Sequence, residues 1–89
     1  MIPNEYLAKL NERRQNLTGM ARVWADYNME LEILQESPSL DIADMAIADC
    51  RLIIADLHYR MPTQDVLDAL EVKRNQLADL QRDKAAMKG

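Results

Sequence analysis

Residues 40–61 carry two apolar faces instead of one. This segment contains neither glycine nor proline, so we expect it to form a helix. On a helical wheel of about 100° per residue, its wide apolar face comprises Ala43, Ala46, Ile47, Cys50, Ile53, Ile54, Leu57 and Met61. A narrower apolar face on the opposite side comprises Met45, Ala48, Leu52, Ala55 and Tyr59. Because stripes of charged residues separate the two faces, this helix needs neighbours on two sides.

The preceding segment, at residues 4–35, keeps a seven-residue rhythm. One row comprises Leu10, Leu17, Trp24 and Leu31, and the other comprises Tyr6, Arg13, Met20, Tyr27 and Leu34. The alternating spacings of three and four predict one long helix with a coiled-coil-like seam, in which Arg13 is the only charged member. Gly19 lies inside this predicted helix, where glycine costs about 1 kcal/mol relative to alanine. It permits a close helix crossing or a bend.

Two prolines divide the chain into helices. Pro38 and Pro62 each disfavour helix in the residue before them. Ser37 or Ser39 is predicted to cap the second helix, and Thr63 is predicted to cap the third. The predicted helices span about 4–35, 40–61 and 64–86. The last of them carries an apolar seam of Val66, Leu70, Leu77, Leu80 and Met87, interrupted by Lys73 and Lys84.

The composition also favours a wholly helical fold. Phe is absent and Thr and Val are scarce, whereas Ala, Leu, Met, Glu, Gln, Lys and Arg are abundant. We predict an all-α protein with one domain at residues 1–89, whose three helices run up, down and up. Because a three-helix bundle uses only one broad face of its central helix, the second face is predicted to bind another copy in a homodimer. The predicted self-association residues are Met45, Ala48, Leu52, Ala55 and Tyr59.

Few side chains are placed for catalysis or metal binding. His58, the only histidine, shares a helix side with Arg51 and Asp44, but the spacing of seven separates each from the next by about 10 Å. That distance is too long for a hydrogen-bonded relay. Cys50, the only cysteine, lies on the wide apolar face and is predicted to be a buried, unreactive thiol. Motifs for metal, phosphate or nucleophile sites are absent, so we expect no enzyme, no cofactor and no metal.

The sequence has no segment expected to enter a membrane. It contains no run of about eighteen uncharged apolar residues. The first residues, MIPNEYLAKLNERR, lack the apolar core of a secretory signal. A single cysteine suits a reducing compartment. We therefore expect a cytoplasmic protein.

Acidic residues cluster in one part of the chain. Between Asp26 and Asp49 there are seven acidic residues and no basic residue. We predict a patch for docking a basic partner, and the alternative is an ordinary solubilising surface. The predicted patch comprises Asp26, Glu30, Glu32, Glu36, Asp41 and Asp44. Nearby, Trp24 and Tyr27 are either core residues or an aromatic anchor for a partner.

These patterns favour a binding protein. Our leading hypothesis is a small accessory protein, namely a non-enzymatic protein–protein interaction module such as an adaptor, an assembly factor or an inhibitor. The alternative is an acidic nucleic-acid mimic, or a regulator that binds a basic nucleic-acid-handling protein. The net charge of −4 and the lack of a helix-turn-helix pattern disfavour direct nucleic-acid binding.

Overall fold

The computed structural model describes the backbone of residues 4–88 and the side chains of residues 7–13 and 15–87. Over those residues the chain forms four helices and no strand: α1 at Asn4–Arg14, α2 at Gly19–Glu36, α3 at Leu40–Tyr59 and α4 at Gln64–Lys88. The prediction of an all-α fold is confirmed. The prediction of three helices is wrong, because the first predicted helix is divided into α1 and α2.

The division falls at residues 15–18. Asn16 has φ 66° and Gly19 has φ 58°, both in the left-handed region that a right-handed helix excludes. Thr18 between them is extended and forms the N-cap of α2, although its side chain makes no capping hydrogen bond. Glycine and asparagine are the residues that enter the left-handed region most readily. The sequence from Asn16 to Gly19 therefore ends one helix and starts the next.

The other helix boundaries follow from local chemistry. Ser39 Oγ accepts a hydrogen bond from the backbone N–H of Ile42 at 3.4 Å, and it caps α3. Thr63 Oγ1 accepts from Val66 N–H at 3.4 Å at the start of α4. The end of α3 comes two residues earlier than predicted. Met61, predicted to lie on the wide apolar face, is 81% exposed, since Pro62 disfavours helix in the residue before it.

The central element of the fold is α3. Both α2 and α4 pack against it, and α1 packs against α2. The main core comprises Tyr27, Ala46, Ile47, Cys50, Ile53, Leu57, Leu70 and Leu80. A second cluster beside α1 comprises Leu10, Met29, Ile33 and Ile42. The wide face of α3 thus lies inside the molecule, as predicted, apart from Met61 and the partly exposed Ile54.

The seam predicted for residues 4–35 does not run as one line. Leu10 belongs to the second cluster, whereas Trp24 and Leu31 pack against the main core. Arg13 is exposed and forms an ion pair with Glu32. The side chain of Tyr6 lies outside the described residues. The break between α1 and α2 is the cause, because it redirects the chain between the two halves of the seam.

Candidate functional site

The side of α3 that faces away from the core carries four of the five residues predicted to mediate self-association. Ala48, Leu52, Ala55 and Tyr59 are all exposed, and we call them the outer face. Leu52 is 52% exposed and Tyr59 is 93% exposed. The fifth residue, Met45, is partly buried and packs against the second cluster. The outer face is therefore an exposed apolar strip. Met45 lies at its edge, where other residues of the same chain partly cover it.

Charged side chains border the outer face and form ion pairs with other residues of the same chain. Arg60 Nε lies 3.0 Å from Asp56 Oδ2, one helical turn away. On the opposite border, Asp44 forms an ion pair with Lys84 of α4. A strip with polar borders of this kind resembles the arrangement of protein–protein interfaces, in which an apolar centre has a polar rim.

The predicted acidic patch is only partly a surface. Glu30 is fully buried, so this member of the patch is not accessible to a docking partner in this fold. Asp26 is partly buried, whereas Glu36 and Asp41 are exposed near the connection between α2 and α3. Glu32 pairs with Arg13 at 3.0 Å, and Asp44 pairs with Lys84. The helical turn explains the burial of Glu30, because it lies beside the buried Met29 and one turn before the buried Ile33.

The structure brings Trp24 and Tyr27 together around a lysine of α4. Tyr27 is fully buried and Trp24 is partly buried, so both lie against the core. Lys73 Nζ lies 4.6 Å from the centroid of the Trp24 ring and 5.0 Å from that of the Tyr27 ring. Lys73 Nζ and the Tyr27 hydroxyl both donate to Gln76 Oε1, at 3.1 and 2.7 Å. The aromatic pair thus joins α2 to α4.

Burial governs the ionisation of this cluster. It lowers the pKa of the Lys73 ammonium and raises the pKa of the Cys50 thiol and of the Tyr27 phenol. Cys50 Sγ also lies 3.4 Å from the backbone oxygen of Lys73, to which it donates. A buried thiol with a raised pKa is a poor nucleophile at neutral pH. The predicted burial of Cys50 is confirmed, whereas its lack of reactivity stays a prediction.

Lys73, which the sequence pattern presents as an interruption of the α4 seam, belongs to this cluster together with Gln76, which no pattern indicated. A signal for Lys73 was present, since it lies seven residues after Val66 and seven before Leu80, which face the bundle. The ammonium group of a lysine at such a position either extends to solvent or contacts hydrogen-bond acceptors and aromatic rings inside the protein. No comparable signal marked Gln76.

His58 is exposed, and its Nε2 atom lies 3.1 Å from a guanidinium nitrogen of Arg74. Its side chain forms no hydrogen bond with Asp44 or Arg51, and Asp44 pairs instead with Lys84. Among the described residues, no three His, Cys, Asp or Glu side chains are grouped closely enough to hold a metal ion. None of the described helices is long and apolar enough to cross a membrane.

Comparison with known proteins adds no functional information. No protein-family model matches the chain, and neither a curated protein nor a solved structure is detectably similar to it.

Proposed function

We propose that this protein is a non-enzymatic protein–protein interaction module that forms a homodimer through the outer face of α3. The observation that carries the proposal is the exposure of Leu52 and Tyr59, which lie two helical turns apart on one side of α3. Ala48 and Ala55 lie on the same side, so no charged residue interrupts the strip. Single exposed apolar residues are common, but a continuous strip is typical of an interaction site.

The dimensions of the molecule support this proposal. Its principal extents are 38, 36 and 16 Å, so it is a thin slab, and one side of its central helix is exposed. The small side chains of Ala48 and Ala55 allow a second helix to approach α3 closely. Tyr59 can bury its ring against that helix and keep its hydroxyl in water. A second copy would thus supply the neighbour that the outer face lacks.

The wider role that we propose is that of an adaptor, assembly factor or inhibitor. The alternative role, an acidic mimic of nucleic acid, depends on a continuous array of carboxylates. Burial of Glu30 and the ion pairs of Glu32 and Asp44 break up that array. The outer face therefore supports the interaction module better.

Sedimentation of matched variants tests the homodimer. Leu52→Lys places a charge in the centre of the outer face. Once the two chains separate, the long aliphatic side chain of the new lysine lets its ammonium group reach water. We expect wild type to sediment as a dimer and Leu52→Lys as a folded monomer. Val72→Lys is the control, because Val72 is 50% exposed and lies on α4, away from the outer face. That variant is expected to remain a dimer.

Two results would contradict the homodimer. One is a wild-type protein that stays monomeric at high concentration. The other is equal dissociation of Leu52→Lys and Val72→Lys, which would show that added charge, and not its position, prevents association. Circular dichroism of each variant establishes that a change in sedimentation is not caused by unfolding.

A further inference from the structure

A groove opens between α2 and α4, on the side of the molecule where both helices approach their C-terminal ends. The contacts of Trp24 and Tyr27 with Lys73 and Gln76 close it at one end. Elsewhere the two helices stay apart, since no Cα atom of α2 lies within 8 Å of a Cα atom of α4 in the described part of the chain. The groove has a volume of about 430 Å³. Its apolar lining consists of Leu31, Leu34, Ala43, Leu80 and Met87.

The rim of this groove is acidic. Asp79 and Asp83 of α4 line it, and their side chains are 60% and 61% exposed. No basic side chain belongs to its described lining. Arg82 forms ion pairs with both aspartates but is itself outside the lining, with 74% of its side chain exposed. The groove thus combines an apolar floor with exposed carboxylates, and exposed ion pairs of this kind neutralise the carboxylates only weakly.

We infer that this groove binds an amphipathic helix of another protein, one that presents apolar side chains flanked by lysine or arginine. Because α2 and α4 both pack on α3 and leave a groove between them, a helix from a partner can lie in that groove and form a four-helix bundle with α2, α3 and α4. Apolar side chains of the incoming helix fill the groove, and its basic side chains meet Asp79 and Asp83. A second copy of this chain is a poorer occupant, because it would bring a net charge of −4 to an acidic rim.

This inference extends the proposed role as an interaction module by giving the chemistry of its partner. It uses a surface distinct from the outer face of α3, since none of Ala48, Leu52, Ala55 or Tyr59 lines the groove. The two surfaces can therefore be tested separately. A monomeric Leu52→Lys variant that still binds the partner helix would separate failure of the homodimer from failure of the groove.

Two synthetic amphipathic helices serve as probes. Both have leucine at the same positions, and their polar positions are lysine in one peptide and glutamate in the other. We expect the leucine–lysine peptide to bind and to shift the amide NMR signals of Leu31, Leu34 and Met87. The leucine–glutamate peptide is expected not to bind. Fluorescence anisotropy of labelled peptide gives the dissociation constants.

Charge reversal on the protein locates the binding surface. Asp79→Lys with Asp83→Lys is expected to weaken binding of the leucine–lysine peptide about tenfold, since two attractions become repulsions. The matched control is Asp68→Lys with Glu71→Lys, which makes the same change in net charge on exposed residues of the same helix. Neither control residue lines the groove, so we expect at most about a twofold loss.

Met87→Gln tests the apolar part of the groove. Met87 lines the groove near the end of α4 and belongs to neither buried cluster, so its replacement is expected to leave the fold intact. Binding is expected to weaken by about threefold, because the groove loses part of its apolar lining.

The inference is overturned if both peptides bind equally, or if the two double variants lose affinity equally. It is also overturned if the amide shifts fall on the outer face of α3. A fourth contrary result is that the signals of Leu31, Leu34 and Met87 shift when the wild-type protein alone is diluted, which would show that a second copy occupies the groove.

Discussion

At the scale of single residues, Lys73 shows how a charged side chain is held inside a small core. It is 8% exposed, and its ammonium is surrounded by the rings of Trp24 and Tyr27 and by the amide oxygen of Gln76. The ring contacts and the hydrogen bond compensate for part of the hydration free energy that the ammonium group loses on burial. The recovery is incomplete, because the pKa of Lys73 lies below its usual value of 10.5.

The lowered pKa of Lys73 predicts a specific dependence of stability on pH. The unfolded chain binds a proton at this lysine up to about its usual pKa of 10.5, whereas the folded chain releases it at lower pH. The contribution of Lys73 to the free energy of unfolding therefore rises as pH increases between the two pKa values. In Lys73→Met this rise should be absent. At pH 7 we expect the variant to remain within about 1 kcal/mol of wild type, since it loses the ring contacts but no longer buries a charge.

Urea unfolding of both proteins across this pH range measures the effect. Cys50 and Tyr27 have raised pKa values, so their contributions to stability fall as pH rises, opposite to that of Lys73. The quantity to follow is therefore the difference between wild type and Lys73→Met, which contains the contribution of Lys73 together with its Coulombic coupling to Cys50. Parallel pH profiles for the two proteins would contradict the assignment.

Burial of some residues could be predicted from the sequence, and burial of others could not. Cys50 lies in the middle of an apolar helix face, so its position alone indicated the core. Glu30 and Lys73 are charged, and charged side chains are rarely buried without partners supplied by other elements. For Lys73 these partners include Trp24, which lies far earlier in the chain. Their proximity depends on tertiary packing, which helix periodicity does not describe.

At the scale of elements, the effect of a Gly19→Ala substitution on stability tests whether the chain breaks between α1 and α2. At φ 58°, an alanine would occupy the left-handed region at a cost of about 1 kcal/mol, although space is not the obstacle because no atom lies within 4 Å of the added Cβ. We therefore expect Gly19→Ala to lower the free energy of unfolding by about 1 kcal/mol. In a continuous helix the same change would stabilise it by about 1 kcal/mol, so the sign of the effect decides between the two structures.

Asn16→Gly serves as the companion to this measurement. Asn16 has φ 66°, a conformation that glycine adopts with less strain than asparagine. Thermal unfolding is expected to show Asn16→Gly at least as stable as wild type and Gly19→Ala less stable. A gain in stability for Gly19→Ala would show that α1 and α2 form one helix.

The same break shows why some element boundaries were predicted and one was not. Pro38, Pro62 and the capping residues Ser39 and Thr63 act on their immediate neighbours, so their effects can be read locally. Around Asn16 the seven-residue rhythm continues unbroken from Leu10 to Leu17 and Trp24. This rhythm predicts a single helix, and the cost of about 1 kcal/mol for Gly19 inside a helix is too small to exclude one.

At the scale of the whole molecule, α3 separates a core side from an uncovered side. Leu52 and Ile53 are neighbours in sequence but point in different directions, since Leu52 is 52% exposed and Ile53 is fully buried. Because side chains on a helix return to the same side every three to four residues, the sequence separates the two faces, apart from the exposed Met61 and the partly buried Met45. The second copy proposed to cover the outer face is a separate molecule, and helix periodicity describes only the sides of one chain.

Adjacent lysine substitutions test whether folding and association use opposite sides of α3. In Ile53→Lys the new charge lies in the main core, where burying an unpaired charge costs several kcal/mol. That cost is comparable with the whole stability of a small domain, so we expect loss of the helical circular dichroism signal. The same substitution at Ile54 would have a smaller effect on stability, because Ile54 is partly exposed at the edge of the core. In Leu52→Lys the helical signal should remain while the sedimentation coefficient falls to that of a monomer. Equal unfolding of both variants would mean that Leu52 supports the fold of its own chain, and the homodimer would lose its principal support.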